Sequence, residues 1–491
     1  MALAPQPGSF SPCTPRFWPH RSVGGNAAII AFVPRLAALL ALFLATAADA
    51  QTIVWNKYDP LAVRTNRTVD VTLEEQTTGT VSGMRLDYAN GGSLAFSQNS
   101  PGHWVASVPA AKVLDGYAAD DVNHNFVGFI RLLASDGSTL ASYNSFIQVL
   151  DELVPSVPIR TLGGNARATT RILNLFRPGI DADHVQAAAQ QFYGYFHDDY
   201  DFLQVLFVEP SYPSNRYHFA VRNDVDGIGV AKFNAAPSYG SAGRLQGITV
   251  YPVDFFFDAG ETAFSHELGH QWVLFLKNSA LLPGPHWPPS TMAHGVMGFN
   301  IPGSSVGGDF PYDVTAVTAT TARLTDAPVT KEFNDFDLYL MGLLPASSVA
   351  PGIIVQGTPC SGCVLPSSTI TINDIIAVNG PRIPDANAAK KLFDIAVVVI
   401  SRDRLLTNDE MLILEYFAAR GEATTSLPFT AGFARGTTKP FYVATRGLGR
   451  VDLRLERPPR RRAAGIDGVC NKLDSGYCHR QEVENATGLS R

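Results

Sequence analysis

The chain has 491 residues, with 38 Lys and Arg against 44 Asp and Glu, a formal net charge of -6 and 46% hydrophobic residues. That length exceeds one ordinary core and predicts roughly two to four domains, with apolar content ample for globular packing. The mildly acidic balance leaves no basic footprint for nucleic acid over the main body.

In residues 1–50, Arg35 precedes an apolar run over 36–47, and Ala48-Asp49-Ala50 follows. The pattern predicts a secretory leader cleaved after Ala50, giving a secreted, periplasmic or cell-surface protein that begins at Gln51. The run is short for a membrane span, and no later stretch reaches about eighteen apolar residues, so no stable span is expected after cleavage.

Residues 52–150 alternate short apolar runs with turns, as in "VDVTLEE", "MRLDYANGG" and "GHWVASVP", with a D-G turn at 136–137. This is the pattern of an all-β sandwich without helices. A Pro- and Gly-punctuated linker, "DELVPSVPIRTLGGNA", covers 151–166. The period then changes: 181–200 reads as a helix opened by Asp181, and "FLQVLFVEP" (202–210) and "LQGITVYP" (245–252) read as strands. "NDVDGIG" (223–229) reads as a turn rather than a calcium loop.

The stretch "AFSHELGHQWVLFLK" (263–277) reads as an apolar helix carrying His266, Glu267 and His270. Residues four apart share a helix face, so His266 and His270 can bind one Zn2+, while Glu267 projects towards a water on the metal, the general-base position of H-E-x-x-H. "EFNDFDLYLMGLLP" (332–345) reads as a short helix ended by Gly342 and Pro345. The order of elements predicts an α+β lobe over 155–345, and the strand and helix signals of 346–455 predict a small C-terminal α/β subdomain. The tail, 456–491, carries an arginine run ending at Arg462, lacks periodicity and is expected to be disordered. Of five cysteines, Cys13 lies in the leader, Cys470 and Cys478 in the tail, and Cys360 and Cys363 form a C-x-x-C read as a local disulfide.

A catalytic zinc needs a third protein ligand and an open position for water. Downstream candidates are His286, His294, Glu332, Asp335 and Asp337. "HELGHQW", "HW", "GVMG" and "FNDFDLYLMGLLP", in this order, resemble a group of bacterial exported zinc metallopeptidases of the zincin class. The resemblance continues through "ITINDIIAVNGPRIP" (370–384) and "FYVATRGLGRVDL" (441–453) and covers most of residues 160–455. It implies a zincin-like catalytic domain over 155–345. A metzincin-like order would make His266, His270 and His286 the ligands with Met297 beneath them. The chain departs from that pattern in having Val273 where a glycine is usual, and in a longer spacing to His286. A gluzincin-like or aspzincin-like order would instead use Asp337. His286 is favoured, because imidazole is the commoner ligand and the Val-Met turn fits; Asp337 would then accept a hydrogen bond from a ligand histidine.

The expected activity is hydrolysis of protein or peptide substrates, with Glu267 as base and oxyanion help from His294, Tyr312 or Tyr339. The alternative is a non-catalytic cell-surface or matrix-binding protein whose β domain does the work.

Overall fold

The structure is a computed structural model that describes residues 51–455, apart from 67–68, 120–121, 183–184, 210–214, 258–259, 274, 278–284, 302–306 and 432–433. The expected leader and its cleavage point, the tail from 456, and Cys13, Cys470 and Cys478 lie outside the described residues. No helix among the described residues is long and apolar enough to cross a membrane.

The N-terminal strands are β1 (Thr52–Asp59), β2 (Ala62–Arg64), β3 (Val71–Thr78), β4 (Gly83–Tyr88), β5 (Ser93–Ala95), β6 (Ser97–Ser100), β7 (His103–Val108), β8 (His124–Leu133) and β9 (Thr139–Leu150). They form two sheets, ordered β1-β3-β7-β6 and β2-β9-β8-β4-β5. Period-2 alternation gives each sheet one apolar face. Val71 and Leu73 from one sheet, and Leu86, Ile130 and Ile147 from the other, enter a common core. A single helical turn at Ala110–Val113 interrupts the strands that the pattern alone predicts. Glu75, beside Trp104 in the ladder, is fully buried, and neither carboxylate oxygen has a hydrogen-bond partner among the described residues. Burial pushes its pKa well above the ordinary carboxyl range.

The second body is built on an eight-stranded sheet. Its first elements are β10 (Arg160–Gly163), β11 (Ala166–Ala168), β12 (Ile172–Phe176), helix α1 (Gln186–Tyr193), β13 (Phe202–Phe207) and β14 (Tyr217–Ala220). A short β15–β16 pair (Arg222–Asn223 and Phe233–Asn234), β17 (Gly247–Pro252) and helix α2 (Gly260–Gly269) follow. Next come the pair β18–β19 (Phe299–Asn300 and Gly307–Gly308), β20 (Tyr312–Thr318), β21 (Thr321–Asp326), helix α3 (Asp335–Leu340), β22 (Gly352–Val355) and β23 (Val364–Ile370). The body closes with β24 (Leu392–Ser401), helix α4 (Asn408–Gly421) and, after a hairpin, β25 (Arg450–Asp452).

The sheet order is β10-β11-β12-β24-β13-β17-β14, with β25 continuing alongside β24. Its centre is parallel and buried on both faces, which is why β24 reads as the unbroken run "LFDIAVVVIS". Alternate residues serve two cores: Phe393, Ile395, Val397 and Val399 face the layer containing α2, and Ala396, Val398 and Ile400 face the layer containing α1.

This topology corrects the expected boundary at 345, since β24, from the region expected to be a separate subdomain, is the middle strand of the sheet. Periodicity reports that a strand exists; its neighbours are chosen by long-range burial. The expected helix over 181–200 is shorter, ending at Gly194, and the helix expected over 263–277 stops at Gly269. Helices α3 and α4 start where their Asn334 and Thr407 capping boxes fall. Cys360 and Cys363 are bonded to each other in the turn before β23. The N-terminal sheets dock on α4 through the Arg64–Asp409 pair and through Leu61 N–H donating to Glu410.

Candidate metal centre

Helix α2 follows β17 and packs Phe264, Leu268 and then Trp272 into the core beneath the sheet. Its outward face carries His266 and Glu267. His270 lies just past the helix end, where Gly269 and Met297 meet: a Cβ on Gly269 would lie 2.5 Å from Met297 Sδ and 3.0 Å from Phe333. The chain tightens there, with His270 N–H donating to Glu267 O at 3.1 Å.

The Val296-Met297 turn supports the helix in two ways. Met297 is fully buried under Gly269, and Val296 O accepts from His266 Nδ1 at 2.7 Å. That bond puts the proton on Nδ1 and leaves the Nε2 lone pair facing outward.

His286 arrives from the Pro-rich loop and is held by Asn300, which accepts from His286 N–H at 3.2 Å and donates to His286 O at 2.7 Å. Gly307, opposite Asn300 in the β18–β19 ladder, leaves the room its ring needs: a Cβ there would lie 2.3 to 2.5 Å from three ring atoms. His270 Nε2 and His286 Nε2 each lie 3.3 Å from His266 Nε2, and a ligand nitrogen from each residue falls within 4.8 Å of the others.

Three nitrogens on one tetrahedral face around a metal at about 2.0–2.1 Å are about 3.3 Å apart, so the cluster has the dimensions of a three-histidine site. Burial, reinforced by Arg216, lowers the pKa of His266 to about 3, and burial likewise depresses His270 and His286. All three are therefore neutral imidazoles, the ligating form. His286 Nδ1 is buried with no hydrogen-bond partner among the described residues. The Nε2 spacing, the glycine cradle and the all-imidazole donor set together fit a bound metal ion.

Glu267 is 5% exposed, and burial raises its pKa to about 7 against the opposing pull of Arg216. Arg216 Nε donates to Glu267 Oε1 at 2.9 Å. Both residues and the three histidines line one open cleft of about 840 Å3. Edge strand β14 forms one wall, and its outer side has no pairing strand among the described residues.

The other sequence candidates lie elsewhere. Asp337 is buried, accepts from Trp287 Nε1 at 2.8 Å and from Asn334 Nδ2 at 2.7 Å, and caps α3. It thus fixes the neighbour of His286 rather than the histidine itself, and it is not among the clustered ligands. His294 is bound to Pro328 O and Asp313, Tyr339 OH accepts from Arg382 N–H, and Tyr312 packs on Phe310; none lines the cleft. Glu332 pairs with Lys439 and Asp335 with Arg446. Arg216, Gly307 and Asn300 escaped the sequence reading, because no spacing rule links them to a motif 51, 41 and 34 residues away from Glu267 or His266. No protein-family model, curated protein or solved structure matches this chain.

Proposed function

We propose that the chain is an exported zinc metalloendopeptidase, in which a zincin-type catalytic body follows an N-terminal β-sandwich. The observation that carries the reading is the cluster of three neutral imidazoles, His286 buried and His266 and His270 half-buried, with the Glu267 carboxylate beside it in a cleft. Nitrogen donors in a three-histidine set with an open side suit Zn2+, held by His266, His270 and His286. When bound, zinc lowers the pKa of a water towards 7 and polarises a carbonyl. Glu267 then takes the proton of the attacking water as its oxygen bonds to the scissile carbon, and gives that proton to the leaving nitrogen as the C–N bond breaks. Its carboxylate is free of coordination duty. Peptide is the favoured substrate class because the unpaired side of β14 borders the cleft and can hydrogen-bond an extended chain. Export follows from the Ala48-Asp49-Ala50 leader, and N-terminal sequencing of secreted material tests whether Gln51 is first.

The deciding experiment compares wild type with Glu267→Gln for zinc content and for digestion of casein. The variant is expected to hold one zinc and lose most hydrolysis. Full activity in the variant would overturn the mechanism, and zinc-loaded wild type that cleaves nothing would favour the non-catalytic binding protein.

A further inference from the structure

The three residues expected to help an oxyanion are absent from the cleft lining, and Arg216 occupies that cleft instead. Its guanidinium is fixed from two sides. Nε donates to Glu267 Oε1 at 2.9 Å, and Cζ lies 5.0 Å from the centroid of the Phe255 ring. Neither terminal nitrogen makes a hydrogen bond among the described residues, and the side chain retains 29% exposure. The other Lys or Arg side chain lining the cleft among the described residues, Lys331, is bound by both oxygens of Asp309 at 2.8 and 2.9 Å. An arginine placed only to neutralise a buried carboxylate favours a two-bond fork. Arg216 spends one N–H on Glu267 and leaves its terminal donors unspent in the cleft that the three imidazoles also line.

Resting on the hydrolase reading above, we propose that Arg216 is a catalytic residue whose terminal N–H groups bind the scissile carbonyl oxygen as it becomes negative. The water oxygen bonds to the carbonyl carbon, its proton passes to Glu267, and the C=O π pair moves onto the oxygen facing Arg216. The pair returns as the C–N bond breaks and the proton moves from Glu267 to the departing nitrogen. Protonation of Glu267 removes the charge that holds Nε at the moment negative charge develops on the substrate, so the guanidinium is already in place to receive it.

The test uses a quenched fluorescent peptide taken from a cleavage site mapped in the casein digest, and a phosphinic analogue of the same sequence. Wild type, Arg216→Gln and Arg216→Lys are compared, each checked for zinc content and circular dichroism. Losing one oxyanion donor costs about 10²–10³ in kcat. Arg216→Gln should show that loss at nearly constant KM, with phosphinate affinity falling by a similar factor, and Arg216→Lys should recover part of both. An unchanged kcat and phosphinate affinity in a folded, zinc-loaded Arg216→Gln would overturn the proposal while leaving the peptidase reading intact. A loss confined to KM would also overturn it, making Arg216 a ground-state substrate contact. Wild type that digests no casein would remove the hydrolase reading and this inference with it.

Discussion

Gly307→Ala perturbs the proposed metal centre without replacing any of its three histidines. A Cβ at this position would lie 2.3 Å from His286 Cε1 and 2.5 Å from both ring nitrogens, whereas ordinary van der Waals contact begins at 3.4 Å. The alanine itself is unstrained, since Gly307 does not adopt a left-handed φ. The backbone has little freedom to step aside, because Gly307 pairs with Asn300, which also grips both backbone polar groups of His286. The imidazole therefore has to retreat by about 1 Å, several times the roughly 0.2 Å tolerance of a metal–ligand bond. That removes His286 from its 3.3 Å approach to His266 and leaves the metal two protein ligands. Zinc affinity should fall by more than the about 10–100-fold that follows loss of an outer hydrogen-bond partner, or beyond about 2.7 kcal/mol at the upper end. Competition against a chromophoric chelator measures it, with His286→Ala marking full loss of the ligand and circular dichroism confirming the fold. A folded Gly307→Ala protein that binds zinc as tightly as wild type would refute the cradle argument.

Asp337→Ala should retain stoichiometric zinc but lower the denaturation midpoint, since it strands the buried Trp287 indole N–H and the Asn334 amide, at about 1–3 kcal/mol for each unsatisfied donor; zinc loss at normal stability would make Asp337 the ligand instead. Gly269→Ala should cost about 1–3 kcal/mol by crowding Met297, read from urea midpoints, and an unchanged midpoint would mean that the Met297 side chain swings clear at no cost. Glu75 predicts a pH effect remote from the cleft. Its folded pKa is raised, so the native state keeps a proton that the unfolded chain releases near pH ~4.3, and stability drains by up to about 1.4 kcal/mol per pH unit above that point until the folded pKa is passed. Glu75→Gln removes the titration, so its Tm should gain on wild type as pH rises from about 5 to 8; a difference that stays constant with pH would show that the carboxyl is not carried into the fold as the neutral acid.

Local chemistry was legible from residue order alone. The 3.6-residue period places His266 and His270 one turn apart, and the short helix over 332–345 and the strand and helix signals of 346–455 are visible in their local patterns. The choice of His286 over Asp337 was weighed from spacing and motif, but spacing alone left both open. In the tertiary structure the buried Asp337 carboxylate accepts from Trp287 and Asn334, while the His286 ring lies against the helix pair across the Gly307 gap, which is what favours His286 in the proposed site. The same applies to β24, whose place between β12 and β13 joins the two expected domains, and to Arg216, which meets Glu267 from the residue just before edge strand β14. The physical reason is common to these cases. Helix periods, caps and strand alternation depend on residues within a few positions of one another. Sheet order, the pairing of buried charges and the space around an imaginary Cβ depend on which distant segments bury one another, and no local pattern encodes that.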